Sequence, residues 1–305
     1  MPGIEIMQRL SSPFFDIFFR IISMTAEQYV IFVLVASIYW CCDSERGELF
    51  LLTVVSGIAL NSFFKDLFRI PRPFRKYPDL YAPDNTKETG KLFAVFTQTA
   101  SGYSFPSGHT QTSALVGAGL AQKGKKLRIS AAGVYILLVA ASRMYLGVHT
   151  FWDVLAGAVL GAAFVFLSSL FYNLVSKKDN SLWLLLFTIP AFVSLIFASG
   201  SGDTFKMSGL CVGAVLGIVL QKEFLSFKPQ DATKAGHFFK IIIGLAGALA
   251  FESLPKLLLA KGAESIGMLS VLDFTRYFLC GAFVSFGLPL IAKKIMRGAF
   301  LKGIK

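Results

Sequence analysis

Apolar runs alternate with short polar breaks along almost the whole chain. A membrane-spanning helix takes roughly 20 mostly apolar residues, and nine runs approach that length. They fall near Ala26–Cys42, Leu49–Phe68, Phe105–Ala121, Ile129–Tyr145, Phe151–Leu174, Leu182–Ala198, Met207–Leu220, Phe239–Ala260 and Val271–Ile291. The Met207–Leu220 run is the shortest and is rich in glycine. In lipid only helices and closed barrels satisfy every backbone polar group. The pattern therefore predicts an all-α fold, a polytopic membrane helix bundle of about nine transmembrane helices.

Two stretches break the pattern. Residues 4–23 carry Arg9, Ser12, Asp16 and Arg20 at spacings of three and four, with Phe14, Phe15, Phe18, Phe19, Ile21 and Ile22 filling the remainder. That is an amphipathic helix, which either lies in the membrane interface or packs on the protein's own flank. The second stretch runs from Arg69 to about Tyr103 and holds Pro71, Pro73, Pro78 and Pro83 among many charges. A connection this long usually has a function, and Leu92, Phe93, Val95 and Phe96 within it suit a short helix lying over a site.

Composition agrees with the periodicity. The chain is 54% hydrophobic and 16% charged, against about 25% charged in a soluble domain. A net charge of +12 would suit nucleic acid, but in a membrane protein the placement of lysine and arginine carries the meaning. With the N-terminus outside, the inward loops hold Arg46; Lys123, Lys125, Lys126 and Arg128; Lys177 and Lys178; and Lys222, Lys228 and Lys234. The tail adds Lys293, Lys294, Arg297, Lys302 and Lys305 on the same side. Outward basic residues gather in Lys65–Lys91 and at Arg143. This asymmetry implies a multi-pass protein of the cytoplasmic membrane and no nucleic-acid partner.

Cys41, Cys42, Cys211 and Cys280 sit in apolar runs without metal-ligand spacing, so they read as small buried hydrophobes. Residues 1–24 lack the basic start and small-residue cleavage site of a signal peptide.

Three polar islands fall at outward ends of the expected spans. Lys65-Asp66-Leu67-Phe68-Arg69-Ile70-Pro71-Arg72-Pro73 closes the second, Pro106-Ser107-Gly108-His109 opens the third, and Ser142 to Asp153 bridges the fourth and fifth. Cations near hydrocarbon are costly unless they meet an anion, and Lys65, Arg72 and Arg143 fit phosphate oxygens. Ser107 offers a hydroxyl, Gly108 permits close backbone approach, and a helix starting there would aim N–H groups at an anion. If Thr150 to Asp153 opens a helix, His149 and Asp153 share one face four residues apart. A carboxylate so placed can hold one imidazole nitrogen and leave the other as a nucleophile. His109 could donate a proton to a leaving oxygen. Each island alone also reads as a capped helix end or a satisfied polar group at the membrane boundary. Glu252, Asp273 and Arg276, near outward ends of the last two spans, read as a helix-to-helix ion pair or a second functional group.

These residues resemble the type 2 phosphatidic acid phosphatase superfamily, which includes bacterial acid phosphatases, glucose-6-phosphatase and vanadium haloperoxidases. Its pattern is Lys-x6-Arg-Pro, Pro-Ser-Gly-His and Ser-Arg-x5-His-x3-Asp. Lys65 with Arg72 and Pro73, Pro106 to His109, and Ser142 and Arg143 with His149 and Asp153 match every position. The resemblance covers roughly residues 25–175. It implies that His149 attacks phosphorus, Asp153 orients it, and His109 protonates the leaving group and then activates water. Lys65, Arg72, Ser107, Gly108 and Arg143 would hold the phosphoryl oxygens, with no metal or other cofactor.

The chain then divides into an interfacial segment (1–24), a catalytic membrane core (25–175) and C-terminal helices of unassigned role (176–305). The outward N-terminus and nine spans are similar in layout to glucose-6-phosphatase. The expected activity is hydrolysis of a membrane lipid phosphate or pyrophosphate, of the phosphatidate, phosphatidylglycerol phosphate or polyprenyl diphosphate type, at the extracytoplasmic face. A small soluble phosphate is the alternative substrate, and an anion transporter the alternative class.

Overall fold

The computed structural model describes residues 2–10, 12–42, 44–77, 102–121, 126–178, 180–199, 202–225, 227–259 and 266–295. The expected short helix at Leu92–Phe96 lies outside them. Among the described residues there is no strand.

Four helices lead to the long connection: α1 (Pro2–Gln8), α2 (Pro13–Met24), α3 (Gln28–Cys41) and α4 (Ser44–Phe68). A single turn, α5 (Pro73–Lys76), follows. Then come α6 (Gly108–Ala121), α7 (Lys126–Tyr145) and α8 (Phe151–Val175). A 3₁₀ stretch at Ser181–Thr188 runs into α9 (Ile189–Ile196). The last helices are α10 (Gly202–Phe224), α11 (Lys234–Leu259), α12 (Ile266–Ala282) and α13 (Leu288–Ile295), with a π-helical turn at Phe283–Gly287 joining the last two.

Six of these segments are long and apolar enough to cross a membrane: Glu45–Lys76, Lys126–Tyr145, Phe151–Val175, Asp203–Phe224, Lys234–Ser253 and Gly267–Lys294. Helices α2 and α3, bent by 44° at their junction, make a seventh if taken as one span. The expected count of about nine is reached only by adding two shorter helices, α6 and Ser181–Ile196. Helix α6 has 14 residues and is buried along most of its length, so neighbouring protein rather than lipid surrounds it. The Ser181–Thr188 half is 3₁₀, and its longer rise of about 2.0 Å per residue extends its reach.

The chain forms two compact units, Met1–Ile31 with Phe64–Phe166, and Phe32–Phe63 with Leu167–Lys305. In the first unit, α2 presents its apolar residues Phe14, Ile17 and Ile21 outward and buries Phe19, Arg20 and Ser23. The inner face grips α7: the Phe19 ring lies 4.5 Å from that of Tyr145, and the Tyr145 hydroxyl donates to Asp16. Packing on the protein's own flank is thus what the inner face does. An apolar outer face, with Arg20 and Ser23 turned inward beside Phe19, suits a helix whose solvent is lipid.

Helix α8 meets α6 through two glycines four residues apart. A Cβ on Gly161 would stand 2.6 Å from the Gln111 carbonyl oxygen and 2.7 Å from the Ala114 Cβ. A Cβ on Gly157 would meet the Ser107 carbonyl. Small residues let helix backbones approach in this way, and here the approach seats the start of α6 on the first turns of α8.

The second unit uses the same device. Gly209 and Gly213 of α10 lie against the carbonyls of Phe274 and Phe278, and Gly281 of α12 lies against Leu210. The glycine-rich run at Met207–Leu220 is therefore the centre of a full-length helix, its glycines forming a packing groove. Arg276 donates to Asp273 at 2.7 Å, to the Glu252 carbonyl at 2.6 Å and to the Glu252 carboxylate. Those three charges make an ion-pair cluster between helices.

The Gly161 contact carries a direct expectation. Gly161→Ala should lower stability by about 1–3 kcal/mol through overpacking. Gly133→Ala, at a position with nothing within 4 Å, should be neutral or stabilising by up to about 1 kcal/mol. Thermal midpoints of the two variants in one detergent compare them. Equal midpoints would show that α6 and α8 are not held by this approach.

Candidate active site

The spacing Ser-Arg-x5-His-x3-Asp is the spacing of one helix end followed by one helix start. Helix α7 stops at a glycine: Gly147 has φ 69°, the left-handed conformation that glycine adopts without a Cβ penalty. The Val148 N–H returns to the Arg143 carbonyl at 3.2 Å and the Gly147 N–H to Met144 at 3.0 Å, the paired bonds of a Schellman cap. Two residues later α8 begins with a reciprocal capping box. The Thr150 N–H donates to Asp153 Oδ2 at 2.7 Å, and the Asp153 N–H donates to Thr150 Oγ1 at 3.3 Å. His149 is pinned between the two caps, with 1% of its surface exposed.

The other two islands are tied to this one through backbone. The Ser107 N–H donates to the Asp153 carbonyl at 2.9 Å, and the Ser104 N–H donates to the Ile70 carbonyl at 2.7 Å. Helix α4 ends at Phe68, and Arg69 just beyond it has a left-handed φ of 51° and an Nε–H that donates to the Asp66 carbonyl at 2.9 Å. Arg72 follows after one short turn of chain and is 2% exposed.

Arg72 Nη1 lies 3.1 Å from His149 Nε2. A guanidinium only donates, so Nε2 is the accepting, unprotonated nitrogen and Nδ1 carries the hydrogen. Nδ1 lies 3.7 Å from Asp153 Oδ2, too far for a direct hydrogen bond. Ser104 closes the gap: its hydroxyl donates to Oδ2 at 2.6 Å and lies 3.3 Å from Nδ1. With its single hydrogen committed to the carboxylate, the Ser104 oxygen accepts from Nδ1–H. Burial holds the His149 imidazole well below the usual histidine range, Arg72 and Arg143 push the same way, and Asp153 opposes them. The outcome is a neutral ring with a lone pair facing a guanidinium.

The remaining candidates surround this pair. Arg143, 4% exposed, donates through Nη1 to the Ser23 hydroxyl, while its buried Nε has no partner among the described residues. Ser107 is fully buried, with its hydroxyl 3.0 Å from that of Thr110. Gly108 is the first residue of α6, where helix amides lack partners within the helix. His109 follows it and places Nε2 3.0 Å from Glu27 Oε1. Arg72 and Arg143 act electrostatically on both imidazoles. Lys65 occupies the last turn of α4, half-buried. All eight candidates belong to the first compact unit.

Among the described residues no group of three or more His, Cys, Asp or Glu side chains forms a metal-binding array. Ser104, Ser23 and Glu27 are additions that the motif pattern does not name.

Residues 48–178 match the PAP2 superfamily, and residues 205–298 match the transmembrane extension of PAP2 superfamily phosphatases. The chain belongs to the PAP2 superfamily. All eight candidate residues and Ser104 lie inside the first PAP2 match, whereas Ser23 and Glu27 precede it. The C-terminal helices left unassigned by the sequence hold the extension. Phosphatidylglycerophosphatase B of Bacillus subtilis (strain 168) is 43% identical to the chain over 77 residues, which is 22% of this chain. The matched part spans 38% of the length of that curated relative. No solved structure gives a significant match.

If Ser104 relays the hold of Asp153 on the imidazole, Ser104→Ala should lower kcat/KM about 10-fold or more with KM little changed. Asp153→Asn should cost more, about 10³- to 10⁴-fold, by favouring the wrong tautomer. Steady-state kinetics on a phosphate ester compare the two. An unaltered Ser104→Ala enzyme would remove the hydroxyl from the account.

Proposed function

We propose that this PAP2 protein is a membrane phosphatase that hydrolyses a lipid phosphate or pyrophosphate through a phosphohistidine. The observation that carries the reading is the contact between Arg72 and the bare Nε2 of His149. An unprotonated nitrogen whose lone pair is held only by a guanidinium suits an incoming phosphoryl group, whose oxygens would take over the guanidinium and release the lone pair for attack.

In the first step His149 Nε2 forms the N–P bond while the P–O bond to the leaving alcohol or phosphate breaks, and His109 gives that oxygen its proton. In the second, water loses a proton to His109, its oxygen bonds to phosphorus, and the N–P bond breaks to release phosphate. Lys65, Arg72 and Arg143, with Ser107 and the amides at Gly108, hold the charge that builds on the equatorial oxygens. Asp153 keeps Nδ1 protonated and the ring in place. These residues supply both the nucleophile and the charge compensation, so the proposed reaction is metal-independent.

Lipid substrates are supported by the placement of the motifs at helix ends, which would set the site near head-group depth rather than at mid-bilayer, where transporter sites usually sit. Among the three expected substrates, phosphatidate, phosphatidylglycerol phosphate and polyprenyl diphosphate, the name of the Bacillus relative favours phosphatidylglycerol phosphate. The lysine and arginine distribution supports an extracytoplasmic site in the cytoplasmic membrane.

Phosphate release from a panel of these lipids in mixed micelles, with glucose 6-phosphate beside them, tests the reading. At least one lipid should show a much higher kcat/KM than the sugar phosphate. His149→Ala should be inactive, a strong chelator should leave activity intact, and intact spheroplasts should cleave substrate supplied from outside. A sugar phosphate that matches every lipid would replace the lipid reading with a soluble-phosphate one. Full activity in His149→Ala would remove the mechanism.

A further inference from the structure

Three residues at the junction of α2 and α3, spaced two apart, each hold a group on α6 or α7. Ser23 accepts from Arg143. The Thr25 hydroxyl lies 3.3 Å from that of Tyr135 and donates to the Ile22 carbonyl at 2.7 Å. Glu27 stands 3.0 Å from His109 Nε2. The Glu27 backbone is itself fixed from both sides: its N–H donates to the Met24 carbonyl at 3.1 Å, and its carbonyl accepts from Ile31 at 3.0 Å.

A carboxylate with 3% residue exposure in an apolar segment is costly unless it is paired. A partner here is the imidazole that the proposed mechanism uses for proton transfer, and Arg143 acts on the same carboxylate electrostatically. An ionised carboxylate only accepts hydrogen bonds, so the facing Nε2 must carry hydrogen. The other charged groups acting on His109 are the cations Arg143 and Arg72. An imidazolium must form beside them before a leaving oxygen can be protonated, and Glu27 supplies the opposing charge.

Resting on the phosphatase reading above, we propose that Glu27 is the positioning residue for His109. It holds Nε2–H and leaves Nδ1 as the nitrogen that gives a proton to the departing oxygen and later takes one from water. Glu27 and Ser23 lie outside both matched regions, 48–178 and 205–298. The N-terminal helices are thereby part of the catalytic apparatus rather than a detachable anchor. The logic is that of a histidine held on one nitrogen by a carboxylate while the other does the chemistry, applied to the acid as well as to the nucleophile.

The test uses full-length protein in detergent micelles, and kcat/KM, which covers the steps up to departure of the leaving group. Phosphatidate, whose alkoxide must be protonated as it leaves, is compared with p-nitrophenyl phosphate, whose phenolate departs without a proton. General acid catalysis contributes about 10²- to 10⁴-fold. Glu27→Gln should therefore lower kcat/KM for phosphatidate about 10²-fold and for p-nitrophenyl phosphate less than about 10-fold. Glu27→Asp should recover part of the loss, and Glu27→Gln should cost little more in a His109→Ala background.

Wild-type protein inactive on both esters would count against the phosphatase reading itself. An active wild type with an unaltered Glu27→Gln enzyme would overturn the Glu27 assignment alone. So would equal losses on both esters that add fully to the loss from His109→Ala, since a damaged fold has that signature.

Discussion

One carboxylate oxygen, Asp153 Oδ2, starts a helix and orients a histidine at the same time. It accepts the Thr150 N–H at 2.7 Å and the Ser104 hydroxyl at 2.6 Å. The first bond satisfies an amide that has no partner inside α8, which matters in a chain surrounded by lipid. The second sets the hydrogen on His149 Nδ1 and so leaves Nε2 bare. Because the Asp153 carbonyl also receives the Ser107 N–H at 2.9 Å, the same residue seats the beginning of α6. The requirement to cap a membrane helix and the requirement to orient His149, the proposed nucleophile, are met by one group.

Much of this was legible in the residues, and for physical reasons. Hydropathy locates spans because the bilayer sets their length, and the charge-bearing exceptions stand out against that background. The His149 and Asp153 spacing pointed to a shared helix face; α8 does open at Phe151, but His149 precedes its Thr150 cap and meets Asp153 through Ser104. What periodicity could not show was that the helix within the expected run Phe105–Ala121 has only 14 residues, is surrounded by neighbouring protein and need not span lipid by itself. Nor could it show that the glycines of Met207–Leu220 shape a packing groove, since a hydropathy window scores glycine as weak rather than small. The single amphipathic helix expected over residues 4–23 is two helices, α2 starting at Pro13 behind a Ser12 cap.

Within the site, the motif pattern supplied the eight candidates, and the unmotivated residues were the ones that hold them. Ser104 is a lone hydroxyl in a polar stretch, and nothing in its neighbours distinguishes it from other loop serines. Glu27 did carry a signal. It is the sole charged residue in the expected span Ala26–Cys42, and a charge inside a span is a functional candidate by default. Its partner, 82 positions away at His109, becomes apparent only when the end of α2 and the turn after it pack against α6 and α7. Long-range pairing of this kind is a property of packing, and spacing along the chain contains no record of it.

The central claim is that a neutral His149 forms a covalent bond to phosphorus. Rapid acid-free quenching of the enzyme with a radiolabelled phosphate ester, followed by peptide mapping, tests it most directly. The account predicts an acid-labile, alkali-stable phosphoryl label on the peptide containing His149, absent from His149→Ala. Turnover without any such label on rapid quenching, or a label on His109 instead, would contradict it.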